Sequence, residues 1–455
     1  MGAASEPPTV GADNTIHADV AVIGGGVIGH GIAWEAKRSG RSVVVIDDAP
    51  GSGASWAAAG MLAPVSELHY QEEDLLEFML DASARWPAFA AGLTEASGTD
   101  PGYITTPTLA VGADAADRRA LMDLRAVQQA SGLSVDPLTV RDARQREPLL
   151  SPGIACALDT PADHQVDPRL LVACLQAALA YGTDGGRGDR DKGAGRGTAA
   201  AGVGGGIAGG FAVAAKATGL LWRGGAVAGV RLAGGGTVLA AETVVANGLH
   251  AAALEGLPHG LNLPLRPVHG DILRLAVPRH LQPLVTSTVR GLVHGVPVYI
   301  VPRRDGTVVI GATQREDALS ATDAVSAGGV HQLLRDAQVL VPAVAELELL
   351  ECTARARPAT PDNAPLLGRV PAPEEAADGE HGYVSGLIIA TGFFRHGVLL
   401  TPAAAAVCRD LLDGREDPRW AAFSPGRFSP RAGARLSTGS PINHFRHTSP
   451  TKESA

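Results

Sequence analysis

Between Val20 and Asp48 the chain reads VAVIGGGVIGHGIAWEAKRSGRSVVVIDD. A short apolar run leads into closely spaced glycines. Ile28, Ile32 and Ala36 then recur at four-residue steps, as one face of a helix does, and a second apolar run, RSVVVI, ends on two acids. This pattern predicts strand, turn, helix and strand. Far downstream, GLIIATGFFRHGVLLTPAAAAVCRDLL, Gly386 to Leu412, repeats the logic of an apolar strand, a glycine loop and a helix. Between these ends lie short strand-like runs such as GDILRLAV, VYIVP and TVVIGAT. The expected class is α/β: a Rossmann-like domain with a second, mostly antiparallel α+β domain. Two stretches break the patterning. Residues 182–210 hold too few large apolar side chains to offset the entropy of ordering and are expected to form a flexible insertion. The polar tail from about residue 416 is expected to be largely disordered, as are residues 1–17.

Composition narrows the class. The 455 residues are 45 % apolar and 19 % charged, enough for two or three average domains with a sizeable core. No run of about 18 uncharged apolar residues predicts a membrane span, and the first residues lack the basic start and apolar core of a secretory signal. The expected location is the cytoplasm. A formal charge of −9 argues against a nucleic-acid polymer as the main partner. The four cysteines, Cys156, Cys174, Cys352 and Cys408, form no CxxC pair and suit neither a disulfide scaffold nor a zinc site. No metal is expected.

Gly24, Gly26 and Gly29 stand at GxGxxG spacing. The first permits a tight turn, the second lets a pyrophosphate approach the backbone, and the third lets helix and strand pack closely. Free N–H groups at the helix start would face the phosphates. Asp47 arrives at about the spacing at which an acid accepts from a ribose hydroxyl, which points to NAD or FAD. GSGASWAAAGMLAP, Gly51 to Pro64, favours FAD, because a flat ring system against main chain needs small side chains, although alone it also reads as an alanine-rich helix start. Arg357, in ARARPATPDNAPLLG, is expected on a proline-stiffened turn that fixes its fork for a carboxylate, with Arg355 pointing away.

In this order VIGGGVIG, AAAGML, DHQVDP, YIVPR, VVIGAT, RPATPDNAPLLG and GFFRHGVLLTP resemble the FAD-dependent amine and amino-acid oxidases of the D-amino-acid oxidase family, and within them the glycine oxidases of thiamine biosynthesis, from about residue 18 to 415. The resemblance implies noncovalent FAD and oxidation of the carbon–nitrogen bond of glycine, sarcosine or a small D-amino acid. It places cofactor contacts at Val27 and Ile28, at Asp47 and Asp48, at Ala54 and Ser55, at Ala59, Gly60 and Met61, and at Phe393, Phe394, Arg395, His396, Gly397, Val398 and Leu399, beside Gly24, Gly26 and Gly29. It places substrate contacts at Arg357, Arg395 and Tyr299. The family pattern is broken by Phe393 and His396 in the last loop, by His294 where a second aromatic is expected over the substrate, and by Gln314 in place of an apolar methionine.

Hydride transfer to a flavin needs orientation more than an acid or base, so no general base is nominated. Reduced flavin would pass its electrons to O2, giving peroxide; the alternative is a D-amino-acid dehydrogenase that reduces a quinone. The nucleotide domain is expected from residues 18–100, 156–258 and 353–415, the substrate domain from 101–155 and 259–352. A homo-oligomer is compatible with the sequence.

Overall fold

A computed structural model describes residues 8–11, 15–68, 72–180, 207–316, 323–372 and 382–430. Two sheets organise them. In the nine-stranded sheet the Thr15–Ile23 strand pairs in parallel with Val43–Ile46 on one side and with Thr237–Val245 on the other, and Tyr383–Thr391 adds in parallel to the end of the latter. These central strands are covered on both faces, which is why they read as unbroken Val and Ile runs. Val20, Val22, Val43, Val45 and Val244 face the helices Val27–Arg38, Glu73–Ser97, Pro168–Ala180 and Gly397–Leu412. Ala21, Ile23, Val44, Ile46 and Val245 face the opposite layer with Leu220, Val227 and Val230 of an antiparallel extension.

The eight-stranded sheet runs Glu348–Ala359, Arg266–Ala276, Thr307–Gly311, Val296–Pro302, Thr288–Val293, Thr108–Gly112, Cys156–Thr160 and Asp136–Leu138. It is antiparallel except where Thr288–Val293 meets Thr108–Gly112. Leu273, Leu275, Val298, Ile300, Val308 and Ile310 pack under the Ala327–Leu340 helix. The alternate residues Ile272, Tyr299, Val301 and Val309 face Ala57, Ala59 and Met61 of the nucleotide half. The period of two along each strand therefore gives the sheet one private core and one face toward the other unit.

Several boundaries differ from expectation. Cys156–Thr160 and the strand part of 353–359 belong to the eight-stranded sheet, because their ladders lie with Thr108–Gly112 and Arg266–Ala276. Thr9–Val10 forms an antiparallel edge on Ile16 and His17, so residues 9–10 and 15–17 are not an unstructured tail. In the expected C-terminal tail, Pro418–Phe423 and Pro425–Phe428 form two short helical turns; Trp420 and Phe423 are buried against Phe78, and this apolar anchorage outweighs the polar composition around them. Residues 431–455 lie outside the described residues, as does 182–206 of the predicted insertion. Its last residues are described, and they lead into Ala212–Val213, which pairs in parallel with Val45 and Ile46.

Candidate active site

A cavity of about 1670 Å³ runs from the glycine turn to the Arg266–Ala276, Val296–Pro302 and Glu348–Ala359 strands of the eight-stranded sheet. At one end Gly24 has φ +111, and a Cβ there would lie 2.5 Å from the Ala246 carbonyl oxygen. A Cβ on Gly29 would overlap the Gly24 carbonyl, so this glycine brings helix and turn together and does not line the cavity. At Gly26 a Cβ would meet only Ser55 Oγ, at 3.2 Å, which leaves the main chain open to a ligand. The helix beginning at Val27 has no side-chain cap from Gly26 and no acid in its first turn. Its N–H groups are open to an anion, apart from that of Val27, which donates to Ser55 Oγ at 3.1 Å.

Asp47 does more locally than the ribose role assigned to it. Its Oδ2 accepts from Gly25 N at 2.5 Å and its Oδ1 from Ala49 N at 2.7 Å, so the carboxylate pins the glycine turn. Asp48, beside it on the cavity rim, is exposed. Ala54 and Ser55 lie in a one-turn helix, Ala54–Ala57, after which the chain extends through Ala59 and Gly60 into the Met61–Leu62 strand. Gly60 has φ +75, and a Cβ would overlap the Val166 carbonyl. Arg303 of the YIVPR segment donates to the carbonyls of Ala59 and Val166 and to Gln165 Oε1, tying the small-residue segment to the second sheet. Burial lowers the Arg303 pKa to about 10, which leaves it charged at neutral pH.

Opposite, Phe393, Phe394, Arg395, His396, Gly397, Val398 and Leu399 line the cavity where the Gly397–Leu412 helix begins. An apolar, uncapped helix start of this kind favours developing negative charge. Half-buried Asn247, whose buried Oδ1 has no hydrogen-bond partner among the described residues, also lines the cavity and offers an acceptor to a bound group. A glycine turn with no room for a Cβ at Gly24, two open helix starts and a flat small-residue wall fit a dinucleotide flavin. The residues that would hold it are Gly24, Gly26, Val27, Ile28, Asp48, Ser55 and Ala59 to Met61, with the last loop at the ring end.

The wall where a substrate is expected comes from the second sheet. Arg357 is on the Glu348–Ala359 strand, not in a turn, and Arg355 also lines the cavity. Residues two apart on a strand share a face, so the expectation that Arg355 points away was wrong. What aims Arg357 is a gap in the neighbouring strand: a Cβ on Gly270 would lie 2.6 Å from Arg357 Cζ. Gly311 likewise makes room for Tyr299, whose Cζ would be 2.5 Å from an added Cβ. Burial pushes the Tyr299 phenol up against the opposing pull of Arg357 and Arg290, so its hydroxyl stays a donor.

Among the described residues five arginines line the cavity, and four have a carboxylate partner. Arg290 pairs with Glu67 at 2.6 Å, Arg395 with Glu67 at 2.7 Å and Glu72 at 3.0 Å, Arg315 with Asp271 at 2.8 Å and Arg355 with Asp323 at 3.5 Å. Arg357 has no acid partner among the described residues, only a 3.4 Å hydrogen bond to the Thr313 carbonyl. Burial pulls the Glu67 carboxyl up, but Arg290, His396 and Arg395 outweigh it and hold it well below its ordinary range.

Arg357, Arg395, Tyr299 and the expected flavin-side residues other than Gly29 therefore meet in one cavity, where Arg395 is already ion-paired with Glu67 and Glu72. Sequence reasoning missed Glu67, Arg290, Arg303, Gly270 and Gly311; a glycine inside a strand pattern is the one signal that pointed to the last two. Gln314 lines the cavity, whereas His294 does not: with φ 52, beside Gly295 at φ 78, it forms a two-residue hairpin turn and its ring reaches Asp114 at 3.0 Å. No cysteine lines the cavity, Cys352 included.

The chain matches the DAO family, FAD dependent oxidoreductase, over residues 19–411, and it belongs to that family. It is 33 % identical to a glycine oxidase of Geobacillus kaustophilus over 88 % of this chain and 93 % of that protein. It is 30 % identical to the bifunctional protein ThiO/ThiG of Trichormus variabilis over 91 % of this chain, which spans 56 % of that longer protein. The crystal structure of the Geobacillus kaustophilus glycine oxidase superposes with a TM-score of 0.74 at 30 % identity, covering 90 % of this chain and 99 % of that one. The chain is thus an FAD-dependent oxidoreductase, and among its described residues no helix is long and apolar enough to cross a membrane.

Proposed function

We propose that this flavoenzyme oxidises glycine, and with it sarcosine or small D-amino acids, at the carbon–nitrogen bond, passes the electrons to O2 and releases peroxide. The imine is the product that thiazole formation in thiamine synthesis would use; hydrolysis gives the 2-oxo acid. The observation that carries this reading is Arg357, the cavity arginine without a carboxylate partner among the described residues, within electrostatic reach of the Tyr299 hydroxyl. An arginine fork and a phenol donor suit a carboxylate. The similarity to glycine oxidases supports the amino acid and the small size of its side chain.

Bound FAD supplies the two-electron acceptor for the hydride leaving Cα. The chain's own work is placement. Arg357 and Tyr299 hold the carboxylate, Gly270 and Gly311 give them room, and Arg303 fixes the Ala59–Met61 wall against the same sheet. Fixing both partners removes much of the entropic barrier to transfer.

The test is peroxide formation by the purified yellow protein with glycine, sarcosine, D-alanine, D-proline and a set of L-amino acids. Glycine-dependent peroxide with little from L-amino acids is expected. Amine oxidation that proceeds only with an added quinone, or preference for an L-amino acid, would overturn the reading.

A further inference from the structure

The way the cavity arginines are paired sets how much negative charge a substrate can bring. Glu67 follows Met61 by six residues, in a loop whose Val65 and Ser66 N–H groups both donate to buried Asp163 at 3.0 Å. One Glu67 oxygen takes Arg290 and the other takes Arg395, while Glu72 takes a second nitrogen of Arg395. Arg290 stands directly across the ladder from Tyr299. Around the expected substrate wall, then, Arg290, Arg357 and Arg395 face Glu67 and Glu72, and among these described residues the one positive charge left over is on Arg357. A substrate carboxylate neutralises it. A second acid group would find no free cation and would be brought toward Glu67, and an unpaired charge in a desolvated cavity is strongly disfavoured.

We infer that Glu67 is a specificity-determining residue that restricts this site to amines carrying a single acid group. It does so by holding Arg290 and Arg395 in ion pairs. The inference rests on the reading that the cavity takes an amino acid, and it names the class of amino acid refused: those with an anionic side chain or a carboxylate on the nitrogen substituent.

D-Aspartate and D-asparagine are close in shape and differ in charge, and both are set beside glycine in the holoenzyme. The parent should prefer D-asparagine to D-aspartate. Glu67→Gln keeps the size of the side chain and removes its charge, leaving Arg290 without a carboxylate, so the efficiency ratio of D-aspartate to D-asparagine should rise at least about tenfold, mainly through KM. The double variant Glu67→Gln, Arg290→Met removes both charges and should return the ratio toward that of the parent. An unchanged ratio in Glu67→Gln, or equal gains for both substrates, overturns the inference, the second because it would mean added space alone. A binding arm needs neither turnover nor a variant. Acetate and malonate are titrated against the flavin absorbance of the parent, and acetate should bind more tightly. Malonate binding as tightly as acetate would sink the charge rule. A parent that produces no peroxide from any amine yet favours acetate would instead sink the oxidase reading and leave the charge rule standing.

Discussion

The two ends of the cavity are built on different principles. At the nucleotide end, main chain does the work: Gly24, Gly26, Gly29 and Gly60 bring backbone close, and bare helix starts present N–H groups. At the substrate end, side chains do it: Arg357 and Tyr299 cross gaps left by Gly270 and Gly311, and acids decide which arginines are free. Backbone geometry tolerates no replacement, whereas an arginine can swing aside. Changes at the first end should therefore cost the cofactor, and changes at the second should cost the substrate.

The largest effect is expected at Gly29. A valine there would drive its side chain into the Gly24 carbonyl, with main chain on both sides of the clash and nothing flexible to yield. Gly29→Val should purify without flavin or fail to fold, as read by visible absorbance and circular dichroism. Recovery of a fully yellow protein would erase the distinction between the two ends.

Next comes Arg357→Ala, which should stay yellow and folded while losing about 2 to 4 kcal/mol in kcat/KM on glycine, since a desolvated carboxylate loses its partner. Lysine should rescue only in part, because it keeps the charge and loses the two-pronged geometry. Equal losses on glycine and on an amine without a carboxylate would show that Arg357 supports the fold and not the substrate.

Legibility in the sequence follows the same division. The glycine turn, its helix and the Val43–Ile46 strand are local in the chain, so spacing alone located Gly24, Gly26, Gly29 and Asp47. Arg357 and Tyr299 were found through motifs. Their surroundings were not, because Gly270 meets Arg357 across a ladder and Glu67 reaches Arg395 over several hundred residues of chain, and such pairings leave no periodicity. The ion pairs of Arg395 escaped the sequence for that reason: its fork is visible there and its two acids are not. The terminal error had another cause. Trp420 and Phe423 are a few apolar anchors in a polar stretch, and composition averages them away.

Behind the cavity, Asp163 holds the loop of Glu67 through the Val65 and Ser66 N–H groups. Burial raises its carboxyl from 3.8 to about 6, against the pull of its bonds to Ser66 and Val65. A folded pKa above the unfolded one means that the folded state binds the proton more tightly, so this group's contribution to stability is present below pH 3.8 and is lost as pH rises to about 6. Asp163→Asn cannot titrate. The melting temperature of the variant relative to the parent should therefore climb between about pH 4 and 7, by the equivalent of roughly 2 kcal/mol. A difference that is flat over that range would place the Asp163 pKa near its ordinary value.

The smallest change is a single methyl on the substrate wall. In Gly270→Ala the new carbon falls on the far end of Arg357, a flexible side chain, and not on main chain. The strand keeps its extended backbone and its ladder to the Arg355 strand, so fold and FAD should be retained. The guanidinium, however, must move off the position from which it would meet the proposed carboxylate, and a displacement of this kind weakens alignment without removing charge. KM for glycine should rise on the order of tenfold, about 1.4 kcal/mol, with a smaller fall in kcat. Combining it with Arg357→Ala provides the decisive comparison. If Gly270 matters only by making room for Arg357, the methyl should cost nothing further once the arginine is gone, and the two losses should be strongly non-additive. Additive losses would mean that Gly270 serves the strand itself, and the substrate end would then depend on main chain just as the nucleotide end does.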